Sequence, residues 1–224
     1  MAVTTENVTF ATLDTITLSG VFHPAEAPVG GAVVCHPHPL YGGNMDNPVV
    51  MSLVEACVAA GLSTLRFDFR GVRASAGTHA RGVGERLDAM AAVDEVLRRV
   101  GPGMSVVMAG YSFGAVVALT AGRPEVDAWI GVAPPAAMFH PDMAAGADPS
   151  PKLLLLPEHD QYTKPGALAA AVRRWPATTV VEVTMADHFL NGRLGEVRRE
   201  VGTFLAARVP EGAVTKASDE MSPS

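Results

Sequence analysis

The stretch that decides the fold reads GMSVVMAGYSFGAVVALTAG, residues 103–122. Twenty residues pass without a charge, a length that on paper spans a bilayer. Glycines at 103, 110, 114 and 122, the hydroxyls of Ser105, Ser112 and Thr120, and Tyr111 at the centre argue for a different reading. Ser105–Ala109 is a short buried strand, Phe113–Ala121 is a buried helix, and Gly110-Tyr111-Ser112-Phe113-Gly114 is the turn between them. No membrane partner is expected from it.

Working outward, short apolar runs alternate with amphipathic segments. Val8–Leu13 and Ile16–Phe22 read as a strand pair, followed by strands at Gly31–Cys35, Leu62–Phe69, Ala128–Ala133, Leu153–Leu156 and Thr179–Thr184. Between them, Asn47-Pro48 supplies an N-cap and a proline at the first helical position, and Val50, Leu53, Val54 and Cys57 share one helical face up to Gly61. Leu87, Met90, Val93, Leu97 and Val100 mark a longer helix ending at Gly101-Pro102. Ala167–Arg174 is another helix, and Leu194, Val197, Val201, Phe204 and Leu205 mark the last. Strands alternating with helices predict an α/β fold, a mostly parallel sheet covered on both faces. Residues 1–209 read as one domain, and the polar, aperiodic segment 210–224 as a disordered tail.

The composition narrows the function classes. Seventeen Lys+Arg against 23 Asp+Glu leave a net charge of −6 over 224 residues. Nonspecific binding to nucleic acid needs the opposite sign. The opening MAVTTENVTF lacks both the basic and the apolar region of a secretory signal, so a cytoplasmic location is expected. Cys35 and Cys57, in apolar surroundings, read as small buried hydrophobes in a reducing compartment.

Chemistry is expected where strands end, because ligands of parallel sheets sit at the carboxyl ends. A serine flanked by glycines between a strand and a helix has the form of a nucleophile elbow. Tiny neighbours let strand and helix cross closely, and the helix N-terminus favours developing negative charge. A seryl hydroxyl needs a base to take its proton. His188, just beyond the last strand in Ala186-Asp187-His188-Phe189, suits that role, and Asp160, after the preceding strand in Pro157-Glu158-His159-Asp160, suits the orienting acid. Asp187 and Glu158 are the rival acids. Two backbone N–H groups are expected to receive the oxyanion: Phe113 after the nucleophile, and one from the loop His36-Pro37-His38-Pro39-Leu40. Prolines have no N–H to give, which leaves His38 as first choice and Leu40 as second. His36-x-His38 read as a metal pair lacks a third ligand of matching spacing, so no metal and no cofactor are expected.

These residues carry a family resemblance. HPHPLYGGNMDNPVV (36–50), LRFDFRGVRASAG (65–77), GVGERLDA (82–89), AGYSFGA (109–115), PEHDQYTKP (157–165) and ADHFLNGRLGEV (186–197) occur in the order found in small capless bacterial α/β-hydrolases related to dienelactone hydrolases and simple carboxylesterases. The resemblance implies Ser112 as nucleophile, Asp160 as acid and His188 as base of a serine esterase acting on a small-molecule ester. A thioesterase acting on acyl-CoA or carrier-bound acyl groups, and a non-hydrolytic or ligand-binding member of the fold, are the alternatives. The chain departs from the family pattern at Glu158-His159 and at Arg73, which stands where glycine is common. Arg73 is expected to bias the cleft toward an anionic substrate, unless it is simply a solvated loop cation. Tyr41 and Asn44, with Met45 beside them, and Met138 and Phe139 from the Pro134–Pro151 segment, are expected to line the opening. That segment is too short for a closing lid. The oligomeric state is not legible.

Overall fold

A computed structural model describes residues 5–208. The expected tail at 210–224 lies outside the described residues. The chain forms strands β1 (Glu6–Ala11), β2 (Thr17–His23), β3 (Gly30–Cys35), β4 (Leu62–Asp68), β5 (Val106–Tyr111), β6 (Val126–Val132), β7 (Lys152–His159) and β8 (Thr178–Asp187). Its α-helices are α1 (Pro48–Ala59), α2 (Val83–Val100), α3 (Phe113–Thr120), α4 (Ala144–Ala147), α5 (Pro165–Val172) and α6 (Leu194–Arg208). Single 3₁₀ turns at Pro39–Tyr41 and Ala136–Met138, and the four-residue α4, are too short to leave a periodic signal in the sequence.

The eight strands form one sheet in the order β1-β2-β4-β3-β5-β6-β7-β8. β1 and β2 pair antiparallel, as do β2 and β4, and every other pairing is parallel. Every residue of β3 and β5 is buried, which is why these central strands read as unbroken apolar runs rather than alternations. α1 and α6 cover one face: Val50, Leu53 and Cys57 meet Val197, Val201 and Leu205 over Val34, Val107 and Ile130. α2, α3 and α5 cover the other, with Val93, Val117 and Leu168 against Val33, Met108 and Leu154. Both cysteines are buried free thiols. Burial pushes the Cys57 thiol up to about 12 and that of Cys35 higher still, so neither is a reactive thiolate. No helix of the described residues is long and apolar enough to cross a membrane.

The strand order reverses at β3. The chain leaves β3 for β4 on one side, then returns to place β5 on the other. The crevice at the carboxyl ends of β3 and β5 is therefore the topological switch point, where open α/β sheets receive ligands.

Candidate active site

Ser112 stands between β5 and α3 at φ 54° and ψ −120°, a left-handed backbone for a residue that is not glycine. The elbow holds this strain because its flanks leave no room to relax. A Cβ on Gly114 would lie 2.3 Å from the Cys35 carbonyl oxygen, and one on Gly110 2.3 Å from that of Gly114. Both glycines are required by close approach of backbones, as the sequence pattern predicted. β5 runs two residues longer than expected, because Gly110 and Tyr111 pair with Gly131 and Val132 of β6.

His188 follows β8 directly, and its Nε2 lies 3.0 Å from Ser112 Oγ. Its Nδ1 lies 2.7 Å from Asp160 Oδ2, which follows β7 directly. The free Asp160 oxygen, Oδ1, accepts from the backbone N–H of Tyr162 and Thr163 at 2.8 and 2.9 Å, so the buried carboxylate is held as an acceptor on both sides. The rival acids are engaged elsewhere. Glu158 accepts from the Met185 N–H at 2.7 Å, fixing the irregular end of β8, and Asp187 accepts from the N–H of Phe189.

The loop after β3 lies against the N-terminus of α3, and its Pro37 and His38 line the same cleft as Ser112. His36 is fully buried, with Nδ1 2.6 Å from the Pro37 carbonyl and Nε2 accepting from the Phe69 N–H at 3.0 Å. Burial pushes its pKa down to about 4, and with both nitrogens occupied it is a brace for the loop, not a ligand. No group of three or more metal-binding side chains occurs among the described residues. His38 Nδ1 accepts from the Leu40 N–H at 3.2 Å, which withdraws Leu40 as an oxyanion donor. Among the described residues the N–H groups of Phe113 and His38 have no acceptor. The two prolines that remove competing donors were legible in the sequence, whereas the capture of Leu40 by the His38 ring was not.

These groups open into a cleft of about 460 Å³ whose walls include Tyr41, Phe113, Pro135, Met138, Tyr162 and Phe189. Tyr41 and Met138 stand where the sequence put them. Asn44, Arg73 and Phe139 do not, and each has a physical reason. Asn44 bridges its own loop, donating to the Gly42 carbonyl and accepting from the Asp46 N–H. Arg73 is consumed by two carboxylates, with Nε 2.7 Å from Asp68 and Nη1 2.6 Å from Asp46. Phe139 stacks on Trp175 at 5.3 Å between ring centroids, facing the core. Met45 likewise gives its backbone to Asp68 and Arg66 rather than to the cleft.

Several neighbours of His188 carried no sequence signal of their own. The buried Tyr111 hydroxyl donates to the His188 carbonyl at 2.9 Å, and Gln161 Oε1 accepts from the His188 N–H. Tyr162 meets the imidazole edge-on at 4.5 Å. Gln161 and Tyr162 lay inside the quoted stretch PEHDQYTKP and Tyr111 inside AGYSFGA, and nothing in either marked them as partners of His188.

No protein-family model matches the chain. An uncharacterized protein of Rickettsia prowazekii, RP471, is 33% identical over 184 residues, 78% of this chain and 77% of that one. Among solved structures, an α/β serine hydrolase homologue from Coxiella burnetii is 32% identical, covering 89% of this chain and 97% of that one with a TM-score of 0.80. XC6422 of Xanthomonas campestris, described as a member of the α/β serine hydrolases without a lid, is 28% identical over 94% of this chain and 97% of that one, with a TM-score of 0.81.

Proposed function

Because this chain belongs to the α/β serine hydrolases that lack a lid, we propose that it cleaves small carboxylic esters through an acyl-enzyme on Ser112. The observation that carries the reading is the continuous hydrogen-bond line from Ser112 Oγ through His188 to Asp160. Oγ attacks the ester carbonyl as its proton passes to Nε2. The Nδ1–H, held by Asp160, keeps the ring in the tautomer that can accept that proton, and the carboxylate stabilises the imidazolium. The developing oxyanion is received by the unpaired N–H groups of Phe113 and His38, already in place before the charge forms. Nε2–H then protonates the leaving alkoxide as the C–O bond breaks. Water loses a proton to Nε2, attacks the acyl-enzyme, and the acid leaves as Oγ recovers its proton.

The apolar, open cleft supports short acyl groups. A series of 4-nitrophenyl acetate, butyrate and octanoate tests this, with acetyl-CoA and butyryl-CoA as thioester controls. The expected result is turnover of the short esters, fastest at acetate or butyrate, and its loss by about 10³-fold or more in Ser112→Ala. Unchanged turnover in that variant overturns the assignment, and thioester-only turnover replaces ester by thioester.

A further inference from the structure

A second cleft of about 300 Å³ adjoins the first, sharing Phe113 and Met138 as its walls. Arg81 and Arg86, at and before the start of α2, and His140 also line it. No aspartate or glutamate among the described residues lines it. Among the described residues neither arginine forms an ion pair or a side-chain hydrogen bond. The contrast with the rest of the molecule is informative. Arg66, Arg70, Arg73, Arg99, Arg123 and Arg208 each pair with a carboxylate. Arg173 and Arg174, also without acidic partners there, are exposed beyond α5, as Arg81 is at the cleft. Arg86 is not: it is half-buried, and among the described residues its Nε is buried without an acceptor, as is that of the ion-paired Arg208. A half-buried guanidinium without a carboxylate is costly to hold charged, and an anion in the cleft that Arg86 lines would supply the missing charge.

The loop is held for the purpose. Glu85, fully buried, accepts from the N–H of Ala80 at 2.8 Å and of Gly82 at 2.7 Å. That clamp keeps Arg81 at φ 56°, a left-handed conformation arginine does not adopt freely, at the mouth of the cleft.

We propose that Arg81, Arg86 and His140 form an anion subsite, and that the preferred ester carries a carboxylate or phosphate remote from its scissile carbonyl. The inference rests on the hydrolase reading for its substrate and supplies the specificity that Arg73 does not. The fork of Arg86 takes the anion's oxygens, Arg81 closes over it from the rim, and the shared Phe113 wall leads to Ser112.

The test compares kcat/KM for mono-(4-nitrophenyl) glutarate, with the anion on the acyl half, and 4-(butyryloxy)phenyl phosphate, with a phosphate on the leaving half, against 4-nitrophenyl butyrate. In the wild type one anionic substrate is expected to exceed the neutral ester. Its advantage falls about tenfold in Arg86→Gln, further in Arg81→Gln/Arg86→Gln, and is partly kept in Arg86→Lys. Which arm falls identifies the half of the substrate that bears the anion. Added salt reduces the same ratio. Ratios that are equal in wild type and variants, at unaltered thermal stability, overturn the subsite while leaving the hydrolase reading intact. Should no ester turn over, the hydrolase reading fails. Titration of glutarate and inorganic phosphate into wild type and Arg86→Gln, followed by amide NMR, then decides the subsite: binding lost in the variant supports it, and no binding or equal binding overturns it.

Discussion

Ser112, Gly110 and Gly114 were readable from the chain because the elbow is a local device. Its requirements lie within five residues and depend on size, which a sequence displays directly. Gly114→Ala tests the steric half of that statement. With its Cβ 2.3 Å from the Cys35 carbonyl, the substitution separates α3 from β3 and costs about 3 kcal/mol or more, read as a large drop in Tm or as failure to fold. Near wild-type stability would show that the crossing has slack. His36 behaves differently, since its burial is a property of the finished fold. With the folded pKa held near 4, below the unfolded value near 6.5, the unfolded chain takes up a proton that the native state refuses. This share of stability is intact above pH 6.5 and is lost as pH falls toward 4, by about 3 kcal/mol in total. The His36 ring resonances are expected to stay at their neutral positions between pH 8 and 5, and a midpoint near 6.5 would contradict the buried brace. Arg73, Asn44 and Phe139 mark where residue-level reading stops. Asp46 lies 27 positions from Arg73, and no pattern in the chain announces that they meet.

At the scale of elements, the strand and helix succession was legible, and the strand ends were not. β7 was expected to stop at Leu156, before Pro157, yet it continues to His159, with Pro157 opposite Val183 of β8. β8 was expected to stop at Thr184 and runs to Asp187, turning at Met185, whose φ is 52°. These extensions carry Asp160 and His188 to the very ends of their strands, so the acid and the imidazole are aimed by the sheet rather than by a free loop. A proline within a strand and a residue with positive φ both read as terminators in a sequence, and only the pairing of the two strands overrules them. The loop that carries Asp160 is tied to the next layer by Thr163, whose hydroxyl donates to the Pro134 carbonyl at 3.0 Å and accepts from the Ala136 N–H at 2.9 Å. Thr163→Val keeps the shape and removes both bonds. It is expected to cost about 1–3 kcal/mol in unfolding free energy and to lower kcat more than it raises KM, since Asp160 loses its anchored loop. Unchanged kcat at reduced stability would confine Thr163 to a structural role.

At the scale of the whole molecule, no segment of the described residues forms a cap over the cleft. The strand reversal at β3 opens the crevice, and the segment between β6 and β7 contributes only Pro135 and Met138 to its wall. The cleft therefore needs no closing motion, and rates with 4-nitrophenyl butyrate are expected to follow simple saturation through the solubility limit of the ester. An abrupt rise once the substrate forms an interface would require a moving cover, which the described residues do not supply. The sequence revealed this openness through the shortness of the Pro134–Pro151 segment, which leaves no room for a closing lid. It did not reveal the second cleft, whose unpaired arginines are defined by which carboxylates the fold brings to the other arginines.

The central claim is that Ser112 is the nucleophile, and intact-mass and peptide mapping after exposure to a fluorophosphonate test it most directly. The account predicts one adduct per chain on the peptide containing Ser112, and none in Ser112→Ala or in unfolded protein. An adduct at another residue, or one that persists in Ser112→Ala, would contradict it.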